Sequence, residues 1–223
     1  PPRSWNAETW RRWDNTLPVY SIIVPLFEEP EVLPDLIWAL RTLDYPAAKL
    51  DIMIVLEAVD RVTPRRLAGL ELPSTFRVIT VPDAAPRTKP KAANYALQFA
   101  RGDYVVVYDA EDRPEPDQLR AAIAAFARAG KRVACVQARL NVYNAYHCWL
   151  SRQFAIEYSS LFDAVLPALM RLGVPVPLGG TSNHFPRHVL QEIGAWDPYN
   201  VTEDADLGVR LARRGWTTAV IES

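Results

Sequence analysis

Apolar residues alternate along the first part of the chain between short continuous runs and longer stretches at helical spacing. The runs predict strands buried on both faces, and the longer stretches predict helices. The predicted strands are residues 20–24, 52–56, 76–81, 104–108 and 132–137. The predicted helices are residues 33–43, 64–70, 90–100 and 116–129. This alternation indicates an α/β fold with a mainly parallel, Rossmann-like sheet that carries helices on both faces.

The second part of the chain has a different pattern. Residues 149–172 predict a long helical stretch that Pro167 is expected to kink or break. A glycine-containing loop at 179–184 then turns into a strand, and a helix is predicted from about 205 to 213, with Thr202 as its cap. The long helix would expose an apolar face that needs cover, and a dimer is one way to provide it.

Composition narrows the class of protein. The chain has 223 residues, of which 49% are hydrophobic and 23% charged, which is ordinary for a globular domain. The formal net charge of -1 gives no basic footprint for nucleic acid. No apolar run reaches the length needed to span a bilayer. The chain opens on Pro1 and stops in a predicted strand, so we expect it to be a piece of a longer protein.

Acidic side chains collect just after three of the predicted strands. In open parallel sheets, ligands bind outside the carboxyl ends of the strands, so these acids are expected along one edge. They are Glu28 and Glu29, Glu57 with Asp60, and Asp109 with Glu111 and Asp112.

Two interpretations of the cluster at 109–112 stay open on these residues alone. One is a solvated loop, because acids are common in turns. The other is a site for Mg²⁺ or Mn²⁺, which bind one or two carboxylates and take further ligands from phosphates. The acids at 203–206 have the same ambiguity, since a helix N-terminus favours negative charge. Lys89 and Lys91 are surface residues or a phosphate contact at a helix start, and His184 is expected to be either structural or exposed.

Four motifs in order resemble glycosyltransferase family 2, in its processive, membrane-associated, cellulose-synthase-like branch. They are the strand and loop at 21–29, the Lys-Pro-Lys-Ala-Ala-Asn-Tyr-Ala-Leu sequence at 89–97, the Asp-Ala-Glu-Asp sequence at 109–112, and the pair of segments at 180–183 and 194–207. The resemblance covers about residues 19–221. It implies a GT-A fold, in which a nucleotide-binding α/β sheet joins an acceptor-binding region.

The resemblance also assigns the organisation of the chain and its site residues. Residues 1–18 would be a lead-in, 19–138 the nucleotide-sugar-binding half, and 139–223 the acceptor-side half, truncated at its C-terminus. The residues implied for the donor nucleotide are Pro25, Glu28, Glu57, Lys91 and Asp109. The metal, Mg²⁺ or Mn²⁺, would bind to Asp109 and Glu111. The acceptor would contact Gly180, Thr181 and Asn183, and the catalytic acids would be Asp204, as general base, and Glu203.

The implied activity is inverting transfer of a sugar from a nucleotide donor, with UDP as carrier, to a growing β-linked polysaccharide or other glycan. The parent protein would be embedded in the bacterial inner membrane, with this soluble part at the cytoplasmic face. Two features depart from the family pattern: Glu111 stands where Asp is usual, so that either the metal would shift or Asp112 would share its role, and the Gln-x-x-Arg-Trp motif is absent.

Other activities fit the sequence less well. A nucleotidyltransferase or a dehydrogenase would need a glycine-rich loop after the first strand, and the loop at 25–29 has no glycine. A non-catalytic module that binds nucleotide sugars and regulates a partner remains the alternative.

Overall fold

The computed structural model describes residues 14–130, 132–142 and 145–222. Most of the lead-in predicted for residues 1–18 therefore lies outside the described residues. Its described end, Asp14–Thr16, forms a short 3₁₀ turn. The guanidinium of Arg120, 2% exposed, lies 2.8 Å from the Asp14 carboxylate and 3.2 Å from that of Asp44, so this turn is tied to the domain.

Seven strands form one sheet in the order β3-β2-β1-β4-β6-β5-β7. All neighbouring pairs are parallel except those of β6, which runs antiparallel to both β4 and β5. The strands are β1 (Tyr20–Leu26), β2 (Leu50–Glu57), β3 (Phe76–Val81), β4 (Tyr104–Val107), β5 (Val133–Ala138), β6 (Asn183–Pro186) and β7 (Thr217–Ile221). The prediction of a mainly parallel α/β sheet is confirmed.

Helices connect the strands and follow the predicted pattern closely. Several helices have Pro in their first turn, for example Pro90. Amides of the first turn have no partner within the helix, so the missing amide hydrogen of Pro costs no hydrogen bond there. The helices are α1 (Leu33–Arg41), α2 (Thr63–Leu67), α3 (Lys89–Leu97), α4 (Gln118–Ala129), α5 (Trp149–Ser159), α6 (Leu166–Leu172), α7 (Arg187–Glu192) and α8 (Glu203–Arg213).

The strands bury both faces, because successive side chains of a strand point to opposite sides of the sheet. Ile23 of β1 packs on one side, in a cluster with Trp196 and Leu207. Its neighbour Ile22 packs on the other side, in a cluster with Leu36 and Leu40 of α1. This double burial explains why the strands are apolar without alternation.

The reversed strand β6 positions the loop that precedes it. In the β4–β6 register, Val107 pairs with Asn183, so residues 179–182 lie at the carboxyl end of β4. The amide of Ser182 donates a 3.0 Å hydrogen bond to the carbonyl of Val107. The loop is thereby held beside the acidic turn that follows β4.

His184, in the middle of β6, is fully buried. Its Nδ1 lies 2.7 Å from the Tyr20 hydroxyl, and its Nε2 has no hydrogen-bond partner. Burial lowers the pKa of the imidazole to about 3, so the ring is neutral at physiological pH. This agrees with a structural role for it.

The predicted helical stretch at 149–172 consists of three helical segments. A π-helical turn, Ser160–Val165, joins α5 to α6, and Pro167 lies in the first turn of α6. α5 buries none of its residues, and Trp149 and Ile156 are 72% and 62% exposed. Among the described residues, no helix has the length and apolar content needed to cross a bilayer.

Candidate active site

The acidic loops after β1, β2 and β4 meet at one edge of the sheet, as predicted. They enclose a cavity of about 320 Å³, which we call the donor cavity. Pro25, Glu57 and Asp109, three of the residues predicted to bind the donor nucleotide, line it together with Glu111.

Glu28 lies outside the lining of the donor cavity, whereas Glu29 is part of it. Glu28 is exposed and adopts a φ of 55°, which turns the chain after β1. Its amide donates a 2.8 Å hydrogen bond to the carboxylate of Asp60, which also accepts from the amides of Val62 and Thr63. Burial opposes ionisation of Asp60, but these bonds and the Thr63 hydroxyl outweigh it and lower the pKa of the carboxyl. Asp60 therefore fastens the loop that carries Glu29.

Glu57, at the end of β2, is held by Lys91. The ammonium of Lys91 lies 2.9 Å from Oε2 of Glu57, and the two side chains are 15% and 7% exposed. Lys91 does not line the donor cavity; it contacts Glu57 and the carbonyl of Ala84. The other carboxylate oxygen of Glu57, Oε1, is buried and has no hydrogen-bond partner. Because an unpaired buried acceptor is costly, this atom is suited to receive a donor from a ligand.

Lys89 occupies the centre of the site. Its ammonium contacts the carboxylate of Asp109 and donates a 2.7 Å hydrogen bond to the carbonyl of Gly180. Burial alone would lower its pKa, but the charges of Asp109, Asp204 and Glu203 raise it above the usual value. The sequence placed Lys89 at a helix start but did not indicate that it, rather than Lys91, would reach Asp109.

Asp112 has a structural role in the turn after β4. Its Oδ2 accepts a 2.7 Å hydrogen bond from the amide of Asp109 and another from the hydroxyl of Thr181. Burial raises the pKa of Asp112 to about 6, against the effect of these two bonds. The carboxylate thus links the turn to the loop before β6 through hydrogen bonds. This role differs from the part in metal binding that the resemblance implied for Asp112.

The loop at 179–183 is built from internal contacts. Thr181 is buried, and its hydroxyl donates a hydrogen bond to Asp112. The carbonyl of Gly180 accepts a hydrogen bond from Lys89, and the side-chain amide of Asn183 donates one to the carbonyl of Gly179. Of the three residues predicted to contact an acceptor, Thr181 lines an open cavity, whereas Asn183 is 2% exposed and holds the loop in shape.

Asp204 stands beside this loop, in the first turn of α8. A methyl group placed on Gly180 would lie 3.9 Å from its Oδ2. Oδ1 accepts a 2.9 Å hydrogen bond from the indole of Trp196. Burial raises the pKa of Asp204 to about 6, and Glu203 and Asp109 add to this, while Lys89 and Trp196 act in the opposite direction. Asp204 is therefore a carboxylate at neutral pH with a higher proton affinity than usual.

The expectation that Thr202 caps α8 through its side chain is wrong. Thr202 is the N-cap residue, but its hydroxyl donates to Oδ1 of Asn200 rather than accepting from the helix. The carboxylates of the first turn, Glu203, Asp204 and Asp206, stabilise the helix start electrostatically instead.

The residues present fit a hard divalent cation that takes most of its ligands from a substrate. In the described residues, no group of three His, Cys, Asp or Glu side chains converges as a complete metal site. Asp109 and Glu111 alone face the junction of two cavities, and the ammonium of Lys89 already provides a positive charge to Asp109. Two carboxylates with open positions are what Mg²⁺ or Mn²⁺ uses beside nucleotide phosphates.

The sheet is mainly parallel with one reversed strand, several acids lie at its carboxyl edge, and another acid, Asp204, lies beside the loop before the reversed strand. This is the GT-A arrangement of a glycosyltransferase. The sequence model described as "Glycosyltransferase like family 2" matches residues 18–223. The chain belongs to this family.

Similar proteins support the assignment. The chain is 28% identical over 211 residues to glucomannan 4-beta-mannosyltransferase 2 of Arabidopsis thaliana, covering 91% of this chain and 39% of that protein. It is 28% identical over 218 residues to the beta-monoglucosyldiacylglycerol synthase of Trichormus variabilis, covering 96% of this chain and 45% of that one. The chain thus spans less than half the length of these two relatives.

A solved structure shows the same fold. The mannosyltransferase PcManGT from Pyrobaculum calidifontis, in complex with GDP-Man and Mn²⁺, superposes with a TM-score of 0.71 at 23% identity. The superposition covers 97% of this chain and 61% of that one.

Proposed function

We propose that the chain is the catalytic part of an inverting, metal-dependent glycosyltransferase that moves a sugar from UDP to a growing β-linked glycan. One observation carries the proposal: Asp109 and Glu111 line both the donor cavity and a second, larger cleft. A diphosphate bound through a metal ion on these two acids would present its sugar at the junction of the two cavities. PcManGT, which has the same fold, binds GDP-Man and Mn²⁺, and this supports a nucleotide sugar and a divalent metal as the ligands.

The donor would be held by residues of three loops. Glu57 offers its unpaired oxygen to an N–H group of the nucleobase, with Lys91 fixing the carboxylate. Asp109 and Glu111 would hold Mg²⁺ or Mn²⁺, which when bound neutralises the charge that develops on the leaving diphosphate. Lys89 adds a fixed positive charge at the same point, where preorganised charge stabilises a transition state most effectively.

Asp204 would act as the general base. It takes the proton of the attacking acceptor hydroxyl, a contribution worth on the order of 10² to 10⁴-fold in rate. Its pKa of about 6 keeps it ionised at neutral pH while raising its proton affinity. Glu203 contributes by raising that affinity further. A single base without a second nucleophile leads to one displacement, so an α-linked donor gives a β-linked product.

The alternative is a non-catalytic module that binds nucleotide sugars. The presence of Asp204 favours the interpretation as an enzyme, because a binding module has no use for a partly buried carboxylate of raised pKa beside the loop at 179–183. We also propose, from the resemblance, that the full-length protein works at the cytoplasmic face of the bacterial inner membrane. Recovery of the full-length protein from the soluble fraction of lysed cells would contradict this location.

Calorimetric titration with UDP, with and without Mn²⁺, tests the donor site. Asp109→Asn should abolish the Mn²⁺-dependent part of the binding, whereas Asp117→Asn, an exposed acid at the start of α4, should bind like the wild type. Equal UDP affinity with and without metal in the wild type would refute the metal site. Transfer by the full-length protein should fall at least about 10²-fold in Asp204→Asn, with UDP binding retained.

A further inference from the structure

A large cleft adjoins the donor cavity and shares Asp109 and Glu111 with it. Its volume is about 1050 Å³, against about 320 Å³ for the donor cavity, and Asp109, Glu111 and Thr181 lie at its inner end. This volume is at the upper limit of the roughly 300–1,000 Å³ usual for small-molecule sites. The cleft therefore has room for a ligand larger than the transferred sugar alone.

One wall of the cleft is apolar and belongs to α5. Leu150, Phe154 and Tyr158 follow one another at intervals of four residues, so they lie in one row along the helix. Phe154 is 48% exposed and Tyr158 36%, so both rings are accessible to a ligand. The Tyr158 ring lies 5.8 Å from that of Phe162, which is 1% exposed, so its position is set by a buried neighbour.

The rest of the cleft is polar. Glu115, Gln118, Arg139 and Asn141 line it. The terminal nitrogens of Arg139 pair with Asp163 at 3.5 Å and with Glu222 at 3.1 Å. Its Nε is buried and has no hydrogen-bond partner. A ligand that accepts a hydrogen bond there would satisfy a donor that the protein leaves unpaired.

We propose that this cleft binds a neutral oligosaccharide, the end of the acceptor glycan, with successive sugar rings stacked on Phe154 and Tyr158. The proposal rests on the proposed function and specifies its acceptor. A sugar ring has an apolar C–H face and a rim of hydroxyl groups. The aromatic row matches the face, and Arg139, Asn141 and Gln118 match the rim.

A lipid acyl chain fits the cleft less well. It would remove Arg139, Asp163 and Glu222 from water without offering any of them a hydrogen bond, and burying charged groups in this way is costly. An oligosaccharide leaves water and hydroxyl groups around the same charges.

Substitution of the aromatic row in the full-length enzyme tests the proposal. With soluble β-linked gluco- and manno-oligosaccharides as acceptors, Phe154→Ala and Tyr158→Ala should each raise the acceptor KM about tenfold, an effect equivalent to about 1.4 kcal/mol. Phe154→Tyr keeps an aromatic ring at this position and should have an acceptor KM close to that of the wild type. Trp149→Ala and Ile156→Ala are matched controls, because both residues are exposed on α5 outside the cleft, and they should leave the KM unchanged.

Release of UDP from the donor without acceptor, by transfer to water, distinguishes the two proposals. If the wild-type enzyme releases UDP and the alanine variants keep the wild-type acceptor KM, the acceptor binds elsewhere and the cleft proposal is wrong. Transfer to diacylglycerol vesicles, with no transfer to oligosaccharides, would also overturn it in favour of a lipid acceptor. If no donor is cleaved under any condition, the proposed function itself fails.

Discussion

The indole Nε1 of Trp196 donates a 2.9 Å hydrogen bond to Oδ1 of Asp204. Trp196 is itself held by Asn94, whose side chain bonds to both the amide and the carbonyl of Trp196, at 3.2 and 2.7 Å. Phe185 of β6 packs edge-on against the indole, with ring centroids 5.9 Å apart. The proposed base is therefore oriented by α3, the helix that also carries Lys89 and Lys91.

Replacing Trp196 by Phe should shift the pH dependence of transfer. The indole hydrogen bond stabilises the carboxylate form of Asp204, so its loss raises the pKa of Asp204 above its value of about 6. A bond worth about 1 kcal/mol corresponds to roughly half to one pH unit. The base must be ionised, so the acidic limb of kcat should move to higher pH by that amount. Trp38→Phe, on the exposed side of α1, is the control; an unchanged limb in Trp196→Phe would show that Asp204 is not the titrating base.

The pair Lys91 and Glu57 should act as one unit in nucleotide binding. Lys91→Met and Glu57→Gln should each weaken UDP binding. The double variant should lose much less binding free energy than the sum of the two single losses, with a coupling of about 1–3 kcal/mol. The reason is that Lys91 reaches the donor cavity only through Glu57. Calorimetry on the four proteins measures the coupling. Additive losses would instead support the direct diphosphate contact that the resemblance implies for Lys91.

Gly208 should not tolerate a side chain. A Cβ there would lie 2.3 Å from the carbonyl oxygen of Val176, so α8 would have to move away from the segment that leads into the loop at 179–183. Gly208→Ala should lower the free energy of unfolding by about 1–3 kcal/mol and reduce kcat, because Asp204 lies on the same helix. Gly69→Ala is the matched control, since a Cβ there meets its nearest atom at an ordinary 3.5 Å. Urea unfolding and a transfer assay give both quantities.

His184 should make the fold sensitive to acid. The folded protein keeps the imidazole neutral, with its pKa lowered to about 3 by burial, whereas the unfolded chain binds a proton below about pH 6.5. Stability is therefore unaffected above pH 6.5 and falls by about 1.4 kcal/mol per pH unit as the pH decreases from there toward 3. As the pH decreases below 6.5, the unfolding free energy of the wild type should therefore fall relative to that of His184→Gln by about 1.4 kcal/mol per pH unit. Parallel curves for wild type and His184→Gln would contradict the buried neutral imidazole.

The sequence predicted the sheet and the edge that carries the site because both follow from local patterns. Buried parallel strands are apolar throughout, and the acids come directly after them. It could not decide which of two lysines two residues apart would reach Asp109, because that depends on the first turn of α3. Lys91 turns toward Glu57 and Lys89 toward Gly180.

The same limit applies to the loops. Glu28 and Glu29 are equivalent in the sequence, but a positive φ at Glu28 sends only the side chain of Glu29 to the donor cavity. Thr202 and Asn183 have residue types that suggest a cap and a ligand contact. Their hydrogen bonds go to Asn200 and to the carbonyl of Gly179 instead. Such choices depend on tertiary contacts that no local pattern encodes.

The position of β5 has a consequence for how the chain can be divided. β5 lies in the segment 19–138 predicted to bind the donor, but both of its neighbours in the sheet, β6 and β7, come from the segment 139–223 predicted for the acceptor side. A chain ending at residue 138 would leave β5 without any partner strand and the edge of β4 open. The two predicted segments therefore share one interleaved sheet, and cutting the chain between them would expose the edges of two strands.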